Sequence, residues 1–299
     1  MTEPLVLAIF GPTASGKTEV AEALAERIPA ELVSADAMQI YRGLPILTNQ
    51  SPARLVGVCD LDHEMSVGEY QCLAHRTIDD VLAHERTPIV VGGTGLYLRA
   101  ALAELELPPP PEPGRREHWE RVYDRLGAEG ACELLAQRDP QAAARLHAND
   151  RRRVVRALEL ADAGFSLRPE RDRLWSDEMR HPALVFGLQV PKEVLQRRIR
   201  ERTRRMFERG VEEEVQTAVR GGVSKTARHI HGLREIAELP REEAERALAV
   251  RTRRYAAYQR KWMRRIPGLI GVDADRPPGA TADEILQVVS RSRLGAVPA

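Results

Sequence analysis

The chain has 299 residues, 43% of them hydrophobic and 30% charged, which is typical of a soluble globular protein with one or two domains. Its apolar runs are too short to cross a bilayer, and its acidic start does not resemble a signal peptide, so we predict a cytoplasmic protein without a membrane partner. Three cysteines without a C-x-x-C pair argue against a zinc site or a disulfide framework.

The net charge of +1 hides an uneven distribution. Residues 1–107 contain 7 Lys+Arg and 15 Asp+Glu, whereas the remaining residues contain 38 and 29. A basic second half favours contact with a polyanion. The alternative is that arginines simply cover solvated helix faces, and charge alone leaves both interpretations open.

The first predicted element is a buried strand, indicated by the apolar run at residues 4–10. A helix follows at residues 18–27, and the connection has the pattern G-x-x-x-x-G-K-[ST], from Gly11 to Thr18. Glycines in such a loop let backbone N–H groups point at phosphate oxygens, and the helix N-terminus adds positive charge. Lys17 supplies a cation, and the Thr18 hydroxyl can hold Mg²⁺. The loop therefore predicts binding of a phosphate ester without saying which one.

A strand at residues 31–36, a helix at residues 67–85 and another strand at residues 87–93 come next. Alternating strands and helices predict an α/β fold with a P-loop-type parallel sheet flanked by helices. Because the carboxyl ends of parallel strands share one edge, we expect Gly11, Asp36 and Thr94 to meet there.

A proline-rich segment at residues 107–114 interrupts this alternation and predicts a stiff linker. Helical stretches without strand signals follow, at residues 116–138 and 139–164. The later elements are strands at residues 182–190 and 268–275, arginine-dense helices around residues 192–209 and 245–265, and a helical tail. We therefore expect a P-loop core in two parts, residues 1–110 and 181–299, separated by an all-helical insertion domain at residues 111–180.

Five sequence blocks, in order over residues 5–275, resemble bacterial tRNA dimethylallyltransferases: GPTASGKT, SADAMQIYRG, VGGTGLYLRAAL, DPQAAARLHANDRRRVVRALE and RYAAYQRKWM. The resemblance implies that the loop holds dimethylallyl diphosphate rather than ATP, with Mg²⁺ as cofactor. It also implies transfer of the dimethylallyl group to N6 of the adenosine on the 3′ side of the anticodon, with release of diphosphate. The insertion domain and the basic helices would then contact the tRNA anticodon stem-loop.

The resemblance further implies roles for individual residues. The expected catalytic residues are Lys17 and Arg202, which neutralise the leaving diphosphate, Asp36, which accepts the N6 proton or holds magnesium, and Thr94 beside the reaction centre. The expected diphosphate contacts are Gly11, Pro12, Thr13, Ala14, Ser15, Gly16, Lys17, Thr18 and Arg198, with Thr18 as the metal ligand. The expected tRNA contacts are Asp36, Ala37, Met38, Gln39, Thr94, Arg152, Arg153, Val154, Val155 and Arg156.

A second basic segment, residues 251–265, contains seven Lys+Arg and no acid. Tyr255, Tyr258 and Trp262 form one helical stripe there, which suits either unstacked RNA bases or core packing, and we favour core packing for these rings. Four features depart from the family pattern: Ala37 replaces a serine, Gly232–Leu233 a glycine–tyrosine pair and Ala257–Tyr258 a lysine–arginine pair, and a paired histidine before the segment DHEMSVGEY is missing. These departures bear on tRNA contacts more than on the prenyl site.

Three other functions remain open. A P-loop small-molecule kinase would bind ATP in the same loop, and a relative that prenylates free AMP, ADP or ATP would share the catalytic residues without needing a basic insertion. A non-catalytic RNA-binding module would not need Lys17, Thr18, Asp36 and Thr94, all of which are present. The expected assembly state is a monomer.

Overall fold

Parallel strands form one five-stranded sheet in a computed structural model that describes residues 5–109, 112, 114–167 and 173–293. The strands are β1 (Val6–Phe10), β2 (Ala30–Ser34), β3 (Thr87–Gly92), β4 (Ala183–Gln189) and β5 (Ile270–Asp273). Their spatial order is β2–β3–β1–β4–β5, and each pair of neighbours is parallel. The predicted parallel α/β sheet is confirmed.

Twelve α-helices are found in the described part of the chain. They are α1 (Lys17–Ala25), α2 (Pro45–Thr48), α3 (Val67–Ala83), α4 (Gly95–Leu102), α5 (Arg115–Arg138), α6 (Pro140–Ala143), α7 (Arg151–Asp162), α8 (Lys192–Glu208), α9 (Val211–Arg220), α10 (Leu233–Glu238), α11 (Arg241–Met263) and α12 (Pro278–Arg293). Helix α3 begins with a capping box, in which the Ser66 side chain accepts from the Glu69 N–H and the Glu69 carboxylate accepts from the Ser66 N–H. No helix in the described ranges has both the length and the apolar character needed to cross a bilayer.

The sheet register places three strand ends side by side. Phe10, the last residue of β1, pairs with Gly92, the last of β3, and Ser34 at the end of β2 pairs with Val91. Strand β1 is buried at all five positions, because helices on both faces exclude water from a parallel sheet. The loops that start after these strands therefore meet at one edge, as the sequence predicted.

The chain divides into two compact units, one formed by Met1–Glu104 with Leu174–Ala299 and the other by Leu105–Arg173. The helical unit thus begins and ends about six residues earlier than the predicted 111–180. Residues 174–180 belong to the sheet unit because the buried Arg99 side chain donates to the Leu174 and Ser176 carbonyls. Parts of four predictions lie outside the described residues: residue 4 of the first strand, residues 110, 111 and 113 of the linker, residues 168–172 of the insertion domain and residues 294–299 of the tail.

The helical unit contains α5, α6 and α7 around its own apolar core. That core includes Trp119, Val122, Tyr123, Leu135, Val154, Val155 and Leu158. The predicted helical stretch over residues 139–164 consists of two helices, and the chain is not helical between α6 and α7. Asp139 accepts from the Ala142 N–H and Asp150 from the Arg153 N–H, so each aspartate starts a separate helix.

Helices α9 and α10 were not predicted from the sequence, although the spacing of buried residues in α9 is helical. Val211, Val215 and Ala218 are buried at helical spacing along it. Glu214, on the same helix, accepts hydrogen bonds from the Ile46 and Leu47 N–H groups at the start of α2. Three glutamates in the first turn made the segment look polar, but one of them satisfies a neighbouring helix end.

Gly92 is expected to tolerate no side chain. A Cβ built at this position would lie 2.1 Å from the Ala35 carbonyl oxygen, a backbone atom that cannot rotate away. We expect Gly92→Ala to lower the free energy of unfolding by about 1–3 kcal/mol, as overpacking does. Gly68→Ala in α3, where the Ser66 hydroxyl oxygen would be 3.9 Å from the new Cβ, should be neutral or stabilising. Urea denaturation measures both variants, and equal stability of the two would contradict this close approach.

Candidate active site

A cavity of about 610 Å³ lies at the carboxyl edge of the sheet, within the unit that contains all five described strands. Its wall includes the loop residues Thr13 to Thr18, Asp36 after β2, and side chains from α8 and α11. Of the predicted residues, Met38, Gln39, Arg198 and Arg202 also line it. Gly11, Pro12, Ala37 and Thr94 belong to the same loops but are set back from the wall.

The loop between β1 and α1 leaves several donors without a protein partner. Ala14 and Gly16 have left-handed backbones, with φ of 64° and 87°, which turn the chain tightly into α1. No side chain caps the start of α1, so its first N–H groups are available to an anion. The Ser15 hydroxyl is buried and, among the described residues, has no hydrogen-bond partner. A ligand oxygen that met these groups would relieve their cost of burial.

Lys17 directs its cation into this loop. Its Nζ donates to the Pro12 carbonyl at 2.9 Å. Burial lowers the pKa of Lys17 to about 8, while the nearby Asp36 carboxylate opposes the shift and Arg202 adds to it. Lys17 is thus still mostly charged near pH 7, and burial has made its ammonium form less favourable than in water until an anion arrives.

Arg202, on α8, contacts the loop directly. Its Nη1 donates to the Thr13 hydroxyl at 3.0 Å. Burial lowers the pKa of this guanidinium, and Asp36 partly compensates. Arg198, one turn earlier, also lines the cavity, but its Nη2 donates to Asp275 at 3.2 Å. The arginine that the resemblance placed first is therefore the one in contact with the loop.

Thr94 joins the ends of two strands, and Asp36 lies beside this contact in a local turn. Asp36 Oδ1 accepts from the Met38 N–H at 2.9 Å, which fixes the carboxylate in a local turn. The Thr94 hydroxyl accepts from the Ala37 N–H at 3.1 Å and lies 3.5 Å from the Tyr255 hydroxyl. Thr94 is thus positioned by the backbone of one loop and a tyrosine of α11, and its expected contact with the reaction centre stays a prediction.

Gln259 is a site residue that the sequence analysis missed. It is buried on α11, where its Oε1 accepts from the Thr13 N–H at 2.7 Å and its Nε2 donates to the Gly93 carbonyl at 2.8 Å. One side chain therefore joins the phosphate-binding loop to the loop after β3. In the block RYAAYQRKWM, Gln259 lies one helical turn after Tyr255, on the same face. This spacing is the only feature of the sequence that points to Gln259.

Tyr255 and His231 complete the wall on the α11 side. Their rings meet edge to face with centroids 4.4 Å apart. Burial raises the pKa of the Tyr255 hydroxyl and lowers the pKa of His231 to about 4, so both side chains are neutral near pH 7. The preferred prediction of core packing is wrong for Tyr258, whose side chain is 54% exposed on the same helix.

The basic cluster of the helical unit is only partly available to a ligand. Arg152 and Arg153 are exposed, with Arg153 Nε 3.6 Å from the Asp150 carboxylate, whereas Arg151 makes a bidentate pair with Asp124, and Arg156 pairs with Glu159. Val154 and Val155 are buried in the unit's core, so the prediction that their side chains contact tRNA is wrong. The error arose because residues adjacent in sequence lie on different faces of a helix, so the two valines are buried although the two arginines before them are exposed.

The oxygen atoms of two side chains beside the loop suit coordination of a magnesium ion that is shared with a phosphate ligand. Thr18 and Asp36 both line the cavity. Within the described ranges, no three His, Cys, Asp or Glu side chains are grouped so that they could hold a metal ion. Mg²⁺ is ordinarily bound through one or two carboxylates plus substrate phosphates, with waters completing its shell. One hydroxyl and one carboxylate therefore fit an ion that binds together with a phosphate ester.

Solved structures with this fold are known. A full-length tRNA isopentenylpyrophosphate transferase from Bacillus halodurans aligns with a TM-score of 0.71 and 29% identity, covering 98% of this chain and 97% of that one. A eukaryotic dimethylallyltransferase acting on tRNA aligns with a TM-score of 0.78 over 99% of this chain and 80% of its own. Its identity is 21%, so it supports the fold alone.

Sequence comparisons agree over most of the chain. The IPP transferase family model matches residues 39–266, and an isopentenyl transferase model matches residues 4–53. A tRNA dimethylallyltransferase from Corynebacterium jeikeium is 36% identical over 305 residues, covering 95% of this chain and 97% of its own. Another, from Anaeromyxobacter dehalogenans, is 38% identical over 291 residues and covers 93% and 97%. The chain therefore belongs to the IPP transferase family, alongside these tRNA dimethylallyltransferases.

Proposed function

We propose that the protein transfers a dimethylallyl group from dimethylallyl diphosphate to N6 of the adenosine on the 3′ side of the anticodon in tRNA, releasing diphosphate. The proposal rests on one observation: a cationic phosphate cradle and the Asp36 carboxylate line the same cavity. A cradle alone would serve any phosphate ester. A carboxylate facing it adds a proton acceptor for an amine, which is what transfer to a nucleobase requires.

The cradle stabilises the leaving group in this proposal. As the allylic C–O bond breaks, negative charge builds on the diphosphate oxygen. Lys17, Arg202, the Ser15 hydroxyl and the first N–H groups of α1 already face the position of that charge, so little reorganisation is needed. Mg²⁺, held by Thr18 with Asp36 as a second candidate ligand, would supply further charge neutralisation when bound.

Asp36 acts on the acceptor. The exocyclic N6 amine attacks the allylic carbon, a C–N bond forms, and diphosphate departs with the electrons of the C–O bond. The N6 nitrogen then carries an excess proton, which the Asp36 carboxylate accepts. The hydrogen bond from Met38 to Oδ1 orients the group, and within the described residues no hydrogen bond is made to Oδ2. Thr94 and Tyr255 keep the β2 and β3 ends in register around it.

Transfer of labelled dimethylallyl diphosphate to tRNA, to AMP or to no acceptor tests the function directly. We expect label in tRNA alone. Label in AMP but not tRNA would support the free-nucleotide relative. Tight ATP binding by calorimetry, with no response to dimethylallyl diphosphate, would support the kinase, and tRNA binding without any transfer would support a binding module.

A single chain suffices for the proposed chemistry. Every residue given a role in the transfer belongs to the sheet unit of one chain. We therefore propose a monomer, located in the cytoplasm where tRNA is available, and sedimentation at assay concentrations tests the assembly state.

Charge reversal on α7 is expected to weaken tRNA binding. Arg152 and Arg153 are exposed, so Arg152→Glu with Arg153→Glu should raise the Kd for tRNA and reduce its salt dependence, because fewer phosphates are neutralised. Affinity for inorganic diphosphate should not change. The same double reversal at the exposed Arg125 and Arg145 of this unit is the control. Equal loss in both variants would show that the α7 pair has no particular role.

Diphosphate affinity should fall at alkaline pH. Since the pKa of Lys17 is about 8 in the free protein, the ammonium loses its proton above that pH, and only the charged form attracts the anion. The ratio of wild-type to Lys17→Arg affinity for inorganic diphosphate should fall above pH 8, approaching about tenfold per unit, because arginine stays charged. The ratio cancels titration of the ligand itself. A ratio constant from pH 7 to pH 10 would contradict the assignment.

A further inference from the structure

A row of aromatic side chains leads from the cavity along α11. Tyr255, in the cavity wall, lies 6.5 Å from Tyr258 between ring centroids, with the two planes within 24°. Tyr258 lies 6.5 Å from Trp262, and Trp262 lies 4.9 Å from Trp175. We call Tyr255, Tyr258, Trp262 and Trp175 the aromatic row.

Tyr258 is the exposed member of this row. Its side chain is 54% exposed, while the same helix buries Ala244, Leu248, Ala256 and Gln259. Packing of α11 therefore does not require a tyrosine at this position. Its ring lies between those of Tyr255 and Trp262, so a flat apolar surface is exposed beside the cavity.

Cations without acidic partners surround the row. The segment from Arg251 to Arg265 contains seven Lys+Arg and no acid. Five of these are exposed and form no ion pair with any residue that the structure describes: Arg254, Arg260, Lys261, Arg264 and Arg265. The Arg265 guanidinium stacks on Trp175, with its carbon 3.7 Å from the ring centroid. Planar aromatic and guanidinium faces among free cations match the bases and phosphates of single-stranded RNA.

We propose that the aromatic row is a stacking surface for an unpaired nucleotide adjacent to the target adenosine, with Tyr258 as the ring that the base covers. This inference rests on the proposed function. When the target base enters the cavity, its neighbour in the anticodon loop loses a stacking partner, and the row replaces it. Tyr255 and Trp262 are seven residues apart, which is about 10 Å along a helix, so the row accommodates one or two bases rather than a duplex.

Tyr258 variants test the stacking surface in the full-length protein. Tyr258→Ala should weaken binding of the anticodon stem-loop by about fivefold to 100-fold, the range expected for one lost base–aromatic stack. Tyr258→Phe and Tyr258→Trp should bind nearly as wild type, since the ring and not the hydroxyl is used. The matched control is Val250→Ala, which truncates another exposed apolar residue of α11 (37% exposed) outside the row.

Two further measurements separate stacking from other causes. The slope of log affinity against log salt should be unchanged in Tyr258→Ala, because the ring carries no charge. It should be shallower by about one in Arg264→Ala, because this variant removes one phosphate contact. A stem-loop carrying 2-aminopurine beside the target adenosine should show fluorescence quenching with wild type and with Tyr258→Phe, and less with Tyr258→Ala.

The outcomes distinguish this inference from the proposed function. If wild type neither binds nor prenylates tRNA, the proposed function fails. If wild type prenylates tRNA but Tyr258→Ala matches it in affinity and quenching, only the stacking surface is overturned. A change in sedimentation of Tyr258→Ala without an RNA effect would mean that the row packs against a second copy, which also overturns it.

Discussion

Replacing Asp36 with asparagine is expected to slow prenyl transfer about 10²–10⁴-fold, the usual cost of losing a general base. The amide oxygen of asparagine can still accept from the Met38 N–H, so the local turn should survive. Because the proton moves only in the transition state, the Kd values for tRNA and dimethylallyl diphosphate should change much less than the rate. Asp36→Asn therefore separates catalysis from binding.

Single-turnover rates at saturating substrates, measured over a range of Mg²⁺ concentrations, distinguish the two roles open to Asp36. A lost base gives a slow rate at every Mg²⁺ concentration. A lost metal ligand lowers diphosphate affinity instead, and extra Mg²⁺ partly restores it. The control is Asp60→Asn, which changes an exposed aspartate paired with Arg42 away from the cavity. A rate near that of wild type in Asp36→Asn would exclude both roles and the mechanism proposed above.

Removing the Lys17 side chain is expected to have the second-largest effect. Its ammonium lies in the phosphate-binding loop, where burial keeps water from screening it. Loss of one preorganised group that faces developing charge costs about 3–4 kcal/mol, or 10²–10³ in rate. Lys17→Ala should therefore lower kcat by this factor and also weaken binding of inorganic diphosphate, since the charge is present in both states.

Calorimetry with inorganic diphosphate and single-turnover transfer measure the two effects separately. Lys192→Ala, which removes an exposed lysine at the start of α8, controls for a general change in charge. Binding of tRNA should be intact in both variants. Unchanged diphosphate binding in Lys17→Ala would mean that the diphosphate lies outside this loop.

Local patterns in the sequence predicted most of the sheet and the loop. The apolar runs of β1 to β3 are short and bounded by glycine or polar residues, so their positions follow from periodicity alone. The rule that parallel strands end at one edge then placed Gly11, Asp36 and Thr94 together. The helix pattern failed at residues 144–150, because Asp150 caps a new helix within a stretch whose composition still favours one helix.

The sequence by itself determined the phosphate-binding loop, the order of the strands along the chain and the family, since each depends on neighbouring residues or on ordered blocks. Only the tertiary structure decided which side chains of α11 face the cavity. Gln259 joins Thr13 across 246 residues, and Tyr258 is exposed although its stripe has the spacing of a buried face. Helical spacing shows that residues share a face but not what covers that face, which is decided by packing of distant segments. The same reason explains Val154 and Val155, whose burial follows from the position of α5 and not from the basic residues beside them.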